Sequence, residues 1–257
     1  MALLSGGRSL FYEYAYREIA RMRTVHNDIL VALDALNHGF LKDHRCFFGG
    51  GTAISLMLDG YRISSDIDFL CASASSYRDI RRMVLETPEV LLGKQTVTVS
   101  NLRVDAYSIR ADLSINDTNI RLEIVREERI PLMGHPASPF SVPMLSNEDL
   151  FAEKLLANAD RWLDKGVNSR DIIDLGMMVS RIGDVPTMAW EKAHIAYGAN
   201  VAKSFERAVQ MLDDSRYFLR CLKNLDADIG LQDEILSALQ GVSIVFSPQA
   251  EGRPAVR

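Results

Sequence analysis

Apolar residues recur at helical spacing from Leu10 to about Phe40: Leu10, Tyr14, Ile19, Met22, Ile29, Leu30, Leu33 and Leu36, with Arg17, Arg21 and Arg23 between them. The pattern predicts one or two amphipathic helices ending near Asn37-His38-Gly39. Cys46 to Phe48 predicts a short strand, followed by three glycines and an apolar run from Thr52 to Leu58. That run predicts a short helix stopped at Asp59-Gly60. From Asp66 to Leu70 polar and apolar residues alternate, as in a strand with one face exposed. Ser75 to Leu85 predicts a helix with Arg78, Arg81 and Arg82 on its polar side. Residues 95–126, rich in Val, Thr, Ile and Tyr, predict two or three antiparallel strands with a turn at Asn116-Asp117.

Four prolines between Pro131 and Pro143 break every period, which places a loop and a domain boundary there. Beyond it the pattern is helical. Ser146 with Asp149, and Asn168 with Asp171, each resemble a capping box that opens a helix. Amphipathic runs continue to about Gln240, and residues 247–257, with Pro, Gly and Ser, read as a frayed tail. The expected organisation is α+β: an α/β unit with N-terminal helices over 1–143, a helical unit over 144–246, and the tail.

Composition narrows the class. The 257 residues are 47% apolar and 25% charged, which excludes collagen-like, disordered and disulfide-scaffold chains. Cys46, Cys71 and Cys221 are scattered and the five histidines form no close pair, against a disulfide framework, a zinc knuckle or a histidine metal site and in keeping with a reducing cytoplasm. No stretch approaches the roughly 18 apolar residues that a membrane span needs. With 29 basic and 34 acidic residues the net charge is -5, so a nucleic-acid partner has to be met by a local basic patch. Arg78, Arg81 and Arg82, with Arg17, Arg21 and Arg23, are candidates, though arginines on a helix's polar face are ordinarily just solvated.

The chemistry concentrates between Phe48 and Phe69. Gly50 and Gly51 leave a strand and open a helix, where bare backbone N–H groups and the helix dipole suit an anion, and Thr52 adds a hydroxyl. Asp66 and Asp68 stand two apart on the expected strand, so both carboxylates project to one face. Such a pair repels itself unless a cation sits between, and hard oxygen donors suit Mg²⁺ carrying phosphate oxygens. A phosphate nest beside paired carboxylates is what phosphoryl or nucleotidyl transfer requires.

The run Gly50-Gly51-Thr52-Ala53, followed by Arg62-x-Ser64-x-Asp66-Ile67-Asp68-Phe69, resembles the nucleotidyltransferase AbiEii/AbiGii toxin family, whose relatives include the MenT toxins, within the DNA polymerase β-like nucleotidyltransferase superfamily. The resemblance runs from about residue 40 to 180. It implies a small mixed sheet flanked by helices, then a helical half, with NTP as substrate and Mg²⁺ or Mn²⁺ as cofactor. It implies a third carboxylate on a later strand, supplied here by Glu123 where the family has Asp; the alternative for Glu123 is an exposed hairpin acid paired with Arg121 or Arg126. It also implies that Lys154 contacts the nucleotide phosphates and that Asp171, in Arg170-Asp171-x-x-Asp174, orients that lysine or the base. Asp174 reads as structural, bonding to the lysine-bearing helix. Arg62 reads equally as a phosphate contact or a surface arginine, and Ser64 takes a family position while bonding local backbone. The family further implies tRNA 3′ ends as acceptor and a separately encoded winged-helix antitoxin as partner. Modification of a small molecule or a protein, or a catalytically silent NTP-binding module, are the competing readings.

Overall fold

The computed structural model describes residues 24–246, except Gln95, Asn116 and Asp117. The expected helix before Thr24, the turn at Asn116-Asp117 and the tail lie outside the described residues.

Helix α1 runs through residues 24–35 and buries Ile29, Ala32, Leu33 and Ala35. The stop expected near Asn37-His38-Gly39 is there, since α1 ends at residue 35, but the same residues also start a second helix. The Asn37 side chain accepts the Phe40 N–H at 3.1 Å and caps α2 (His38–Asp43), because a short polar side chain serves an N-cap as readily as a turn. Strand β1 (Cys46–Gly49) leads into α3 (Gly50–Met57), so the helix begins on the glycines themselves. Asp59 and Gly60, both at positive φ, end that segment. Strand β2 (Ile67–Cys71) and helix α4 (Ala74–Glu86), capped by Ser73, follow. Strands β3 (Thr98–Val104), β4 (Ser108–Ile115) and β5 (Thr118–Arg126) complete the sheet.

The strand order is β1-β2-β5-β4-β3. Only β2 and β5 run parallel, and the other neighbours are antiparallel. One face is apolar and buried, through Ile67, Phe69, Leu122, Ile124, Ile109 and Leu113. On the other face Asp68, Glu123 and Arg110 are register neighbours across β2, β5 and β4.

The proline-rich segment has no regular structure, as expected, yet it is pinned in place. Phe48 N–H donates to Pro143 O at 2.8 Å and Leu145 N–H donates to Phe48 O at 3.0 Å, which covers the outer edge of β1. Six α-helices follow among the described residues: α5 (Asn147–Arg161), α6 (Arg170–Ile182), α7 (Thr187–Tyr197), α8 (Asn200–Leu212), α9 (Ser215–Asn224) and α10 (Gln232–Gln240). Ser146 caps α5 by accepting the Asp149 N–H at 3.2 Å, as its spacing predicts. The second expected cap differs: Ser169, not Asn168, precedes α6, and its side chain caps nothing. Helix α5 packs on α6, α7 and α8, and α3 reaches both α5 and α6. A continuous apolar core therefore joins the sheet to the helical half, from Ile29 to Leu239. Among the described residues no helix is long and apolar enough to cross a membrane.

Candidate active site

The glycine bend and the acidic strand meet at one atom. Gly50 has a φ of +70°, and a Cβ placed on it would stand 2.4 Å from Asp68 Oδ2. Any other residue would meet both a strained backbone and a clash. Gly51 is equally confined, with its would-be Cβ 2.3 Å from Arg62 Nη2 and 3.3 Å from Ser64 Oγ. Thr52 Oγ1 donates to Ser64 Oγ at 2.8 Å, and Ser55 Oγ donates to Arg62 O at 2.6 Å. The start of α3 is thus buttoned to the loop that carries the chain into β2.

The acids are placed unequally. Asp68 lies on β2 beside Glu123 of β5 in parallel register. Asp66 precedes the strand and is exposed, so strand alternation positions Asp68 but not Asp66. Glu123 pairs with Arg110 directly opposite on β4, Nε to Oε1 at 2.8 Å, rather than with Arg121 or Arg126. Burial, then the charges of Asp66 and Glu123, push the Asp68 carboxyl up to about 6, while Lys154 and Arg170 pull it back. A carboxyl raised in this way by two neighbouring acids belongs to a hard-oxygen donor set whose repulsion a divalent cation relieves. As placed, no three His, Cys, Asp or Glu side chains among the described residues form a ready metal-holding group. The residues present fit Mg²⁺ in donor chemistry, with Glu123 engaged by Arg110.

Behind the acids lies a chain of alternating charges. Lys154 Nζ contacts Asp171 Oδ1 at 3.0 Å and Asp174 Oδ2 at 2.6 Å. Arg161, seven residues along the same face of α5, holds Asp171 through two nitrogens at 2.8–3.0 Å. Asp174 is fully buried and receives Arg62 Nε at 2.7 Å, Arg62 Nη2 at 2.9 Å and the Tyr61 hydroxyl. Burial pushes Asp174 up, but Arg62 and Lys154 overcome it and hold the carboxyl well below its usual range. Asp171 is likewise held low by Lys154 and Arg161 against its own burial.

This corrects the sequence reading of Arg62. It is neither a surface arginine nor an unengaged phosphate contact: it is buried, and each of its three nitrogens already has a protein acceptor, Nη1 on Ile63 O at 3.0 Å. Asp174 is the structural member expected, bound to the lysine-bearing helix. Sequence reasoning missed Tyr61, Arg161 and Arg110. Only Arg161 carried a local signal, since positions seven apart on a helix share a face.

A family model for the nucleotidyl transferase AbiEii toxin of type IV toxin–antitoxin systems matches residues 32–238. The chain belongs to the AbiEii nucleotidyltransferase toxin family. It is therefore a nucleotidyltransferase, and membership implies a nucleoside triphosphate substrate and an antitoxin counterpart. Among solved structures, the chain is similar to a candidate nucleotidyltransferase from H. pylori at 16% identity and a TM-score of 0.50, with 84% of this chain and 92% of that chain covered. JHP933 from Helicobacter pylori gives 16% and 0.47 over 84% and 89% of the two chains. The nucleotidyltransferase toxin MenT4 from Mycobacterium tuberculosis gives 16% and 0.36 over 84% and 92%. The first of these supports a shared fold. No curated protein matches the chain. In this AbiEii-family enzyme the family-type residues Gly50, Gly51, Asp68, Lys154 and Asp171 all lie where α3, β2, α5 and α6 meet.

Proposed function

We propose that the enzyme transfers a nucleoside monophosphate from an NTP to the 3′-terminal hydroxyl of tRNA, the hydroxyl oxygen bonding to the α-phosphorus as the α–β bond breaks and pyrophosphate leaves, with Mg²⁺ held by Asp66, Asp68 and Glu123. The observation that carries this reading is the contact of Asp68 with the Gly50 bend, which sets a phosphate nest against a repelling set of acids. When bound, the metal supplies neutralisation of triphosphate charge at that junction.

The chain's own residues do the rest. Backbone N–H groups at Gly50 and Gly51 face the phosphates at the start of α3, and Thr52 and Ser64 fix that bend by their mutual hydrogen bond. Lys154 has two contacts within the protein, which leaves its third N–H to reach a phosphate. Asp171 and Asp174 orient that ammonium, and Arg62 keeps Asp174 in position. Glu123 accepts the proton of the acceptor hydroxyl, with Arg110 steering its carboxylate. Most of the rate enhancement is positioning and charge complementarity.

A polynucleotide acceptor needs local positive charge on an acidic protein. Arg103 stands opposite Arg110 on the sheet face that carries Glu123, and Arg121 shares that face, across from Asp112. Arg103 and Arg121 are exposed. The family's type IV character supports neutralisation by a separate antitoxin, which we take to be a winged-helix protein.

The test incubates the protein with each labelled NTP, Mg²⁺ and total tRNA beside an Asp66→Ala/Asp68→Ala control. Label appearing in tRNA with the wild type alone is expected. Label on protein or a small acceptor instead would move the acceptor assignment, and no metal-dependent NTP binding would leave a silent module.

A further inference from the structure

We propose that helix α9 is a positioning element for this reaction, in which Tyr217 and Asn224 hold the turn that delivers Arg170 to the triphosphate. The inference rests on the nucleotidyltransferase site proposed above.

Three hydrogen bonds run from α9 and its C-terminal cap into the segments that build the site. The Tyr217 hydroxyl meets Ser169 Oγ at 2.7 Å in a buried contact. Asn224 Nδ2 donates to Asn168 Oδ1 at 2.9 Å. The Ile63 N–H donates to Leu225 O at 3.2 Å, within the loop between Arg62 and Asp66. The helix therefore braces both the approach to Asp68, from its C-terminal end, and the start of α6, from both ends.

The start of α6 needs bracing. Asn168 and Ser169 both adopt left-handed backbone, with φ of 53° and 51°. Two successive residues with side chains persist there only when their surroundings over-determine them. Ser169 also stands at the N-cap of α6 without capping it, because its hydroxyl is turned to Tyr217 instead. The bond to Tyr217 is thus made at the expense of an ordinary helix cap.

Arg170 is the residue this turn delivers. It is partly buried and is the first residue of α6, beside Asp171. Its neighbour Asp171 contacts Lys154 at 3.0 Å, and α6 packs against α3, the helix that opens on the glycine bend. Lys154 is held by two carboxylates, whereas Arg170 has no ion-pair or hydrogen-bond partner among the described residues. A phosphate can therefore engage Arg170 without breaking an internal pair, and a planar guanidinium suits two phosphate oxygens at once.

The experiment titrates the full chain, in Mg²⁺, with ATP, GTP, CTP and UTP and with the four monophosphates. Tyr217→Phe keeps the ring and removes the hydroxyl. It is expected to weaken binding of the preferred triphosphate by about tenfold and to leave the monophosphate unchanged. In an Arg170→Ala background the same substitution should change triphosphate binding by less than about twofold, since the two residues act through one contact. Asn224→Ala should repeat the pattern and carries the test if the Phe variant melts early. Wild-type triphosphate affinity in both variants, or an equal loss with and without Arg170, overturns the inference while wild-type label transfer keeps the site reading intact. A wild type that binds no triphosphate overturns both.

Discussion

Asp174, fully buried, and Glu153, part-buried, are carboxylates with opposite fates. Asp174 is matched by Arg62, Lys154 and Tyr61, so its charge is held. Asp174→Asn leaves two buried cations short of a counter-charge, and breaking such a pair costs roughly 3–5 kcal/mol. Thermal unfolding should show a Tm lower by roughly 6–20 °C; a shift within error would refute the account. Glu153 shares Arg129 with Glu127 and Asp160, and its Oε1 has no hydrogen-bond partner. Burial, then the Glu127 charge, push its carboxyl up to about 8, with Arg129 opposing. A raised acid stabilises the fold below its ordinary value of about 4.5 and loses that contribution as pH climbs through about 8. Wild-type Tm should therefore fall between those pH values, and Glu153→Gln should flatten the fall. An unchanged pH profile in the variant would count against this.

At the scale of elements, the glycine bend is the most exacting junction. Gly50→Ala drives a methyl into Asp68 Oδ2 and forces a left-handed alanine. NTP affinity should drop more than about tenfold while far-UV circular dichroism, which reads the helices, barely changes. Unaltered nucleotide binding would show that the bend does not hold phosphates. This junction was legible in the sequence because its parts are near neighbours: glycines, a short helix and Asp68 fall within 19 residues, from Gly50 to Asp68. Strand and helix periods alone also located every described element of the sheet. What local pattern could not reveal was pairing at a distance. Arg62 and Asp174 are 112 residues apart, and nothing in either's neighbourhood names the other. The Asn168–Ser169 turn was misread by one residue for the same reason, since the side chain that settles it lies on α9.

Across the whole molecule, an acidic chain presents arginines on one open sheet face. On the proposed tRNA reading, Arg103→Ala/Arg121→Ala should raise the KM for tRNA severalfold and flatten its salt dependence, because fewer counterions are released on binding. The KM for NTP should stay put, and a shift in it would mean the arginines serve the nucleotide instead.

The 112-residue span between Arg62 and Asp174 also sets an order of events during synthesis. A nascent chain that has emerged only as far as Pro143 carries Asp66, Asp68 and Glu123 but neither Lys154 nor Asp174, so Arg62 has no counter-ion to fold around. Glu123 can find Arg110 early, but Asp174 meets Arg62 only after α6 has left the ribosome, and the brace from α9 comes later still. The sheet and its acids are thus made first, and the clamp that fixes the loop between them is made later.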